Sequence, residues 1–202
     1  MTAPTILTIG HSNHSFERLI ELLRMHGVAA VADVRSSPYS RYNPDFSREP
    51  LHDALKTRGI LYVYLGRELG GRSDDPNSYV EGRVSYERLA QRPLFKTGIQ
   101  QLLSGAQLFR TALLCAEREP LACHRTLLIS TELTRMGVPV VHIHSDGTLE
   151  SQEDAMTRLI KLVGLSEKDL YRTRAELVAE ACARQEKKVA HVDDGMREEA
   201  SA

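Results

Sequence analysis

The segment TALLCAEREPLACHRTLL, residues 111–128, gathers reactive side chains around one proline. Cys115, Glu117, Cys123, His124 and Arg125 lie between an apolar run and a stretch of helical character. If a helix starts near Cys123, its unpaired amides and its dipole attract anions. The same position favours the thiolate of a cysteine. Cys123 is then a candidate nucleophile, with His11, His124 or Glu117 as proton partner. Arg125 adds a planar pair of donors suited to a phosphate or carboxylate. The plainer reading packs Cys123 under the helix as a small hydrophobe. Cys115, inside ALLCA, is expected to be buried, and Cys182 carries no local motif.

A metal reading rests on other residues. His142 and His144, in VPVVHIHS, project to the same face of a strand because side chains alternate with period two. With His11, Cys123 or Asp146 they offer a ligand set for zinc or iron. Against this, Cys-x7-Cys-His is not the spacing of a structural zinc site, and the chain has no Cys-x-x-Cys pair. No metal ligands are therefore assigned, and the residues name no cofactor. Cysteine phosphatases and rhodaneses place an arginine six residues past the nucleophile. Those positions here hold Leu121 and Ile129.

These side chains can act together only if distant elements converge. TILTIGHS is a short β-rich run stopping at Gly10. SFERLIELLRMHG follows with Phe16, Leu19, Ile20 and Leu23 at helical spacing, Ser15 as cap and Gly27 as stop. VAAVADVR is apolar almost throughout, as a strand covered on both faces would be. After a loop over residues 36–48 come a short helix in EPLHDALKTRG and the strand ILYVYLG. RELGGRSDDPNSYVEGRVS reads as a long surface excursion, functional or mobile. Within it, LGRELGG lacks a Walker or dinucleotide fingerprint and reads as a flexible turn. YERLAQRPLFKTGIQQLLSG is expected to be helical on both sides of Pro93. TALLCAE, a helix from near Cys123 to Met136, and VPVVHIHS complete the pattern.

Alternating apolar runs and helices predict an α/β fold over residues 1–147. It should be three-layered, with a mainly parallel five-stranded sheet flanked by helices. A helical C-terminal extension over 148–188 and a disordered polar tail over 189–202 are expected to follow.

Right-handed crossovers bring every parallel strand's carboxyl end to one edge, where ligands bind in open sheets. That edge should collect His11 and Ser12, Asp33 and Arg35, Cys115 and Glu117, and Ser145 and Asp146. Asp33, between apolar neighbours, is costly to bury unpaired. Arg35 or Arg125 would be its partner. In the following loop, Arg35, Pro38, Tyr39, Ser40 and Arg41 could close over a ligand.

Composition narrows the class. A net charge of -1 and a pI near 6.7 give no global pull toward nucleic acid or an anionic membrane. The absence of Trp and an aromatic content of 5% weigh against base-stacking platforms. Three cysteines at no framework spacing point to reduced thiols in the cytoplasm. No apolar run reaches the ~20 residues of a membrane span, and MTAPTILTIGHS does not read as an export signal.

TIGHS (8–12), VADVRSSPYSR (31–41), LGRELGG (65–71), LLCAEREPLACHR (113–125) and VVHIHSDG (140–147) together resemble the family catalogued as domain of unknown function 488. The resemblance implies a cytosolic bacterial or archaeal α/β domain. Its hallmark positions would be His11, Ser12, Asp33, Arg35, Glu117, Cys123, His124, Arg125 and Asp146. It implies no particular reaction. The expectation is an enzyme, a hydrolase or transferase, acting on a small anionic ligand such as a nucleotide or phosphorylated metabolite. Arg125, Arg35 and the amides near Cys123 would hold the anion, and His11 or Asp33 would move protons. Two alternatives use the same edge: a non-catalytic nucleotide or nucleic-acid-associated sensor, and a metal-dependent enzyme using His11, His142 and His144.

Overall fold

Alternate residues of the central strands enter different cores. In the computed structural model, which describes residues 4–40, 43–167, 169, 171–193 and 195, the first strands are β1 (Ile6–Gly10), β2 (Ala30–Asp33) and β3 (Leu61–Tyr64). A small hairpin, β4 (Tyr79–Val80) and β5 (Arg83–Val84), comes next, then β6 (Thr111–Cys115), β7 (Val140–Ile143) and β8 (Leu149–Ser151). Ile6, Ala32, Val34, Leu113, Cys115 and Val140 join one buried cluster. Leu7, Ile9, Val31, Ala112, Leu114 and Ile143 join another. Period-two alternation thus makes a three-layer fold.

The helices are α1 (Phe16–Met25), α2 (Arg48–Thr57), α3 (Gly66–Leu69), α4 (Tyr86–Gln91), α5 (Pro93–Ala106), α6 (Thr131–Arg135), α7 (Gln152–Leu162) and α8 (Arg174–Val189). α1 and α2 cover one face, and the remaining six contribute to the other. α1 begins where expected: Ser15 Oγ accepts from the Arg18 amide at 3.2 Å, capping the first turn. Pro93 opens α5 instead of interrupting a helix.

The main sheet has the order β3-β2-β6-β1-β7-β8. Its first five strands are parallel, as expected, and β8 adds an antiparallel sixth at the edge. β8 escaped the sequence reading because Leu-Glu-Ser has no β-rich run and gains its pairing from β7. α7 and α8 bury Leu159, Ile160, Leu177 and Ala181 in the same core as α3–α6, so the C-terminal helices dock on this domain. Among the described residues, no helix is long and apolar enough to cross a membrane.

Three local expectations are corrected. The excursion after β3 is folded: Tyr79 and Val84 of the hairpin are core residues, and LGRELGG contains α3. The segment past α8 is not loose either. Val84 N donates to His191 O at 3.0 Å and Asp193 N to Gly82 O at 2.8 Å, laying residues 191–193 along β5. The rest of the expected disordered tail, residues 194 and 196–202, lies outside the described residues except for residue 195, and so does Arg41.

Finally, no α-helix starts at Cys123. A 3₁₀ turn (Pro120–Ala122) leads to Cys123 in an extended conformation, then to a π-helix over Arg125–Ser130. Ser130 Oγ donates to Arg125 O at 2.6 Å and Thr131 Oγ1 to Thr126 O at 3.2 Å, each bonding the carbonyl five residues back. These side-chain bonds support the wide turn, a feature common at functional sites. The amides of Thr126 and Leu127 are spent on Cys123 O. They are not an anion cradle.

Candidate functional site

Register places the carboxyl ends of β1, β6 and β2 together: Gly10 lies opposite Cys115, and Asp33 opposite Leu114. Two side-chain networks meet there.

The first surrounds Asp33. Arg35 reaches it through Nε–Oδ1 at 2.9 Å and Nη2–Oδ2 at 2.6 Å, and the Tyr62 hydroxyl donates to Oδ2 at 2.8 Å. Arg35 Nη1 also donates to Phe46 O at 2.8 Å and faces His11 Nε2 at 3.3 Å. His11 stacks on Phe46 with ring centroids 4.4 Å apart. Its Nδ1 lies 3.0 Å from Ser12 O, an acceptor, so Nδ1 carries the proton and Nε2 accepts. Burial, then the charge of Arg35, pushes the His11 pKa down to about 4. Ser12, at φ +48, serves through its backbone, donating to Ala116 O at 2.9 Å. Arg35 was expected to hold the anion and His11 or Asp33 to move protons. In the structure they hold one another, with the charge of Arg35 met by Asp33.

The second network is the thiol cluster. Past Cys115 the chain turns back and sets Cys123 and His124 over the end of β6. Cys115 Sγ–H donates to Glu117 Oε2 at 2.9 Å, and Cys123 Sγ lies 3.0 Å from the same oxygen. Both sulfurs are 3.8 Å from His124 Nδ1. His124 Nε2 lies 3.0 Å from Val34 O, which fixes the ring and its proton. The four donor atoms all lie within 4.8 Å of one another.

The loop is pinned from two sides. His11 N donates to Cys115 O at 2.9 Å from the β1 side. Arg125, fully buried, donates from Nη1 to Glu117 O at 2.6 Å and from Nη2 to Arg118 O at 3.2 Å. Arg125, expected to hold an anion, clamps the loop from beneath with these two donors spent on backbone carbonyls. Glycine is required at position 10, where a Cβ would stand 1.9 Å from Glu117 O. Gly71, expected in a flexible turn, is packed so closely that a Cβ would lie 2.9 Å from His124 Cγ.

The charges interlock. Burial alone would raise the Cys123 pKa, but the hydrogen bond from Cys115 and the charges of Arg125 and His124 outweigh it, leaving Cys123 well below the usual thiol range. Burial, then its contact with Cys123, pushes Cys115 well above that range. Glu117 is exposed as a residue, yet desolvation of its carboxylate against the sulfurs, then the neighbouring Cys123 charge, raises its pKa. Burial opposes protonation of His124, but Cys123 more than offsets it and raises that pKa.

A cavity of about 250 Å³ opens over the cluster. Cys115, Glu117, Cys123 and His124 form its floor, with Arg35, Ser36, Ser37, Gly71, Arg72, Tyr86, Val189 and His191 around them. Asp146 is elsewhere, in a second depression with Arg118, Glu119, His144, Ser145 and Thr148. It accepts from Thr148 N at 2.9 Å and Oγ1 at 2.7 Å, shaping the β7–β8 turn. His142 spends Nδ1 on Thr8 Oγ1 and Nε2 on Gln152 Oε1, both at 2.8 Å, and His144 meets Glu150 at 3.0 Å. Among the described residues, the grouping suited to a metal contains none of His11, His142 and His144.

Sequence reasoning missed Arg72, Ser36 and His191. The first two lie in or beside quoted motifs, and Ser36 Oγ accepts from Arg72 N at 3.0 Å. His191 had no local signal.

A family model described as "Domain of unknown function DUF488" matches residues 15–131, which include the whole cluster. No curated protein and no solved structure matches the chain.

Proposed function

The chain belongs to the DUF488 family, a family description without a reaction, and from the site itself we propose an enzyme of hydrolase or transferase type acting on a small anionic ligand. The supporting observation is a reactive Cys-Glu-Cys-His floor beneath an open cavity with an arginine at its wall. Arg72 is exposed and pairs with no carboxylate among the described residues, so its charge is free for a phosphate or carboxylate. Ser36 and Ser37 stand beside it as further polar contacts. The anion would sit between this wall and the floor, within reach of groups able to exchange protons or attack. The cavity suits a phosphorylated metabolite or the phosphate end of a nucleotide.

Thermal-shift measurements with inorganic phosphate, pyrophosphate, nucleotides and sugar phosphates test this reading. One or more should raise the Tm of the wild type, with Arg72→Ala reducing the shift. A shift of equal size in both proteins, or none in either, overturns the pocket. Binding without turnover across a panel of phosphate and ester substrates assigns the pocket to sensing instead.

A further inference from the structure

We propose that Cys115, Glu117, Cys123 and His124 together bind one zinc ion. Two sulfurs, an imidazole nitrogen and a carboxylate oxygen make a donor set suited to zinc. Tetrahedral bonds of about 2.0–2.3 Å separate ligand atoms by roughly 3.3–3.8 Å. The sulfurs here lie 3.8 Å from His124 Nδ1 and 2.9–3.0 Å from Glu117 Oε2. The four donor atoms already lie within 4.8 Å of one another, and Glu117 Oε2 is closer to both sulfurs than that tetrahedral spacing, so insertion of the ion moves Glu117 outward. That residue is the exposed member of the set, while Cys115, Cys123 and His124 are at most 9% exposed.

The surroundings match those of a metal ligand set. His124 Nε2 is held by Val34 O at 3.0 Å, leaving Nδ1 directed at the centre. An outer-shell carbonyl of this kind orients a ligating histidine. The Arg125 amide lies 3.4 Å from Cys123 Sγ, a donor to a coordinating sulfur. Arg125 itself supplies an independent observation. Its guanidinium is fully buried, its bonds go to backbone carbonyls, and Nε has no partner among the described residues. A buried cation is costly without a counter-charge. Its natural counter-charge is the neighbouring cluster, and zinc with two thiolates, one carboxylate and a neutral imidazole keeps a net charge of about -1 there.

The cluster also escapes the spacing objection. Short-loop zinc motifs place ligands on one local turn, whereas this loop is folded over by Gly10 and the Arg125 clamp, so distance along the chain ceases to matter. The site stands on its own geometry. Only the use of the ion rests on the anion-binding reading: zinc would polarise a bound phosphoryl or carbonyl oxygen, or acidify a water admitted by displacement of Glu117.

Full-length protein purified without chelator from zinc-supplemented cells should contain about one zinc per chain by elemental analysis. Cobalt-substituted protein should show thiolate-to-cobalt charge-transfer absorption, weakened by Cys115→Ser and by Cys123→Ser. Glu117→Gln, a mild change at an exposed residue, should lower zinc affinity by at least about 10-fold and keep that absorption. Wild-type protein that is folded by circular dichroism, holds less than about a tenth of an equivalent and shows no cobalt band overturns the site. So does zinc affinity unchanged by Cys123→Ser. Zinc-loaded protein whose Tm ignores phosphate and nucleotides overturns the anion reading and leaves the metal site standing. Zinc-free protein that binds phosphate does the reverse.

Discussion

Arg35 grips Asp33 with two parallel contacts, 2.9 and 2.6 Å, at a depth where Arg35 is 5% exposed and Asp33 fully buried. The pair faces the ligand edge of the sheet, yet its geometry is that of a brace. Removing one partner strands the other charge. Arg35→Ala should therefore lower stability by about 3–5 kcal/mol, read from urea unfolding. Arg35→Lys, which cannot reproduce the planar fork, should recover only part. A ligand-contact role predicts the opposite: intact stability with lost binding.

The pH dependence of folding has a worked sign. His11 and His142 both have pKa values pushed down to about 4, chiefly by burial, against 6.5 when unfolded. Between those values the unfolded chain binds protons that the folded chain refuses, so stability falls as pH falls. The contribution is complete above about 6.5 and lost on descending toward about 4. Each histidine should cost on the order of 2 kcal/mol by about pH 5. Urea midpoints at neutral and mildly acidic pH measure this, and a flat profile would refute it.

Gly71→Ala tests the packing on His124. The new methyl would meet His124 Cγ, Cβ and Nδ1 at 2.9, 3.0 and 3.1 Å. A destabilisation of about 1–3 kcal/mol is expected, together with weaker zinc binding because the ring is displaced. Unchanged affinity would show that the loop yields instead.

Gly105→Ala should act in the other direction. Gly105 lies in the last turn of α5, and a methyl group added there would have no neighbour within 4 Å among the described residues. Reduced freedom of the unfolded chain and better helix propensity should stabilise the protein by about 0.5–1 kcal/mol, seen as a raised Tm.

The parallel sheet and most helices were legible because their signals are local: the apolar VAAVADVR, the Ser15 cap, the α1 stripe. β8 was not, because Leu149–Ser151 has no β-rich run of its own and takes its order from the neighbouring β7; residues 191–193 were not, because theirs comes from β5, far earlier in the chain. The site was legible as a set of residue types around 111–128. Its geometry was not. A sequence displays the charges of Arg35 and Arg125 but not that one is met by Asp33 and the other faces backbone carbonyls. Likewise, Cys115 read correctly as buried, although burial here means facing Cys123 and His124 beneath the cavity floor.

His191 reaches the cavity because residues 191–193 lie against the β4–β5 hairpin. A ribosome delivers Cys115, Glu117, Cys123 and His124 well before it delivers that strip. The floor and this wall come from segments far apart in the sequence, so trimming the strip would widen the chamber's mouth while leaving Cys115, Glu117, Cys123 and His124 in the chain.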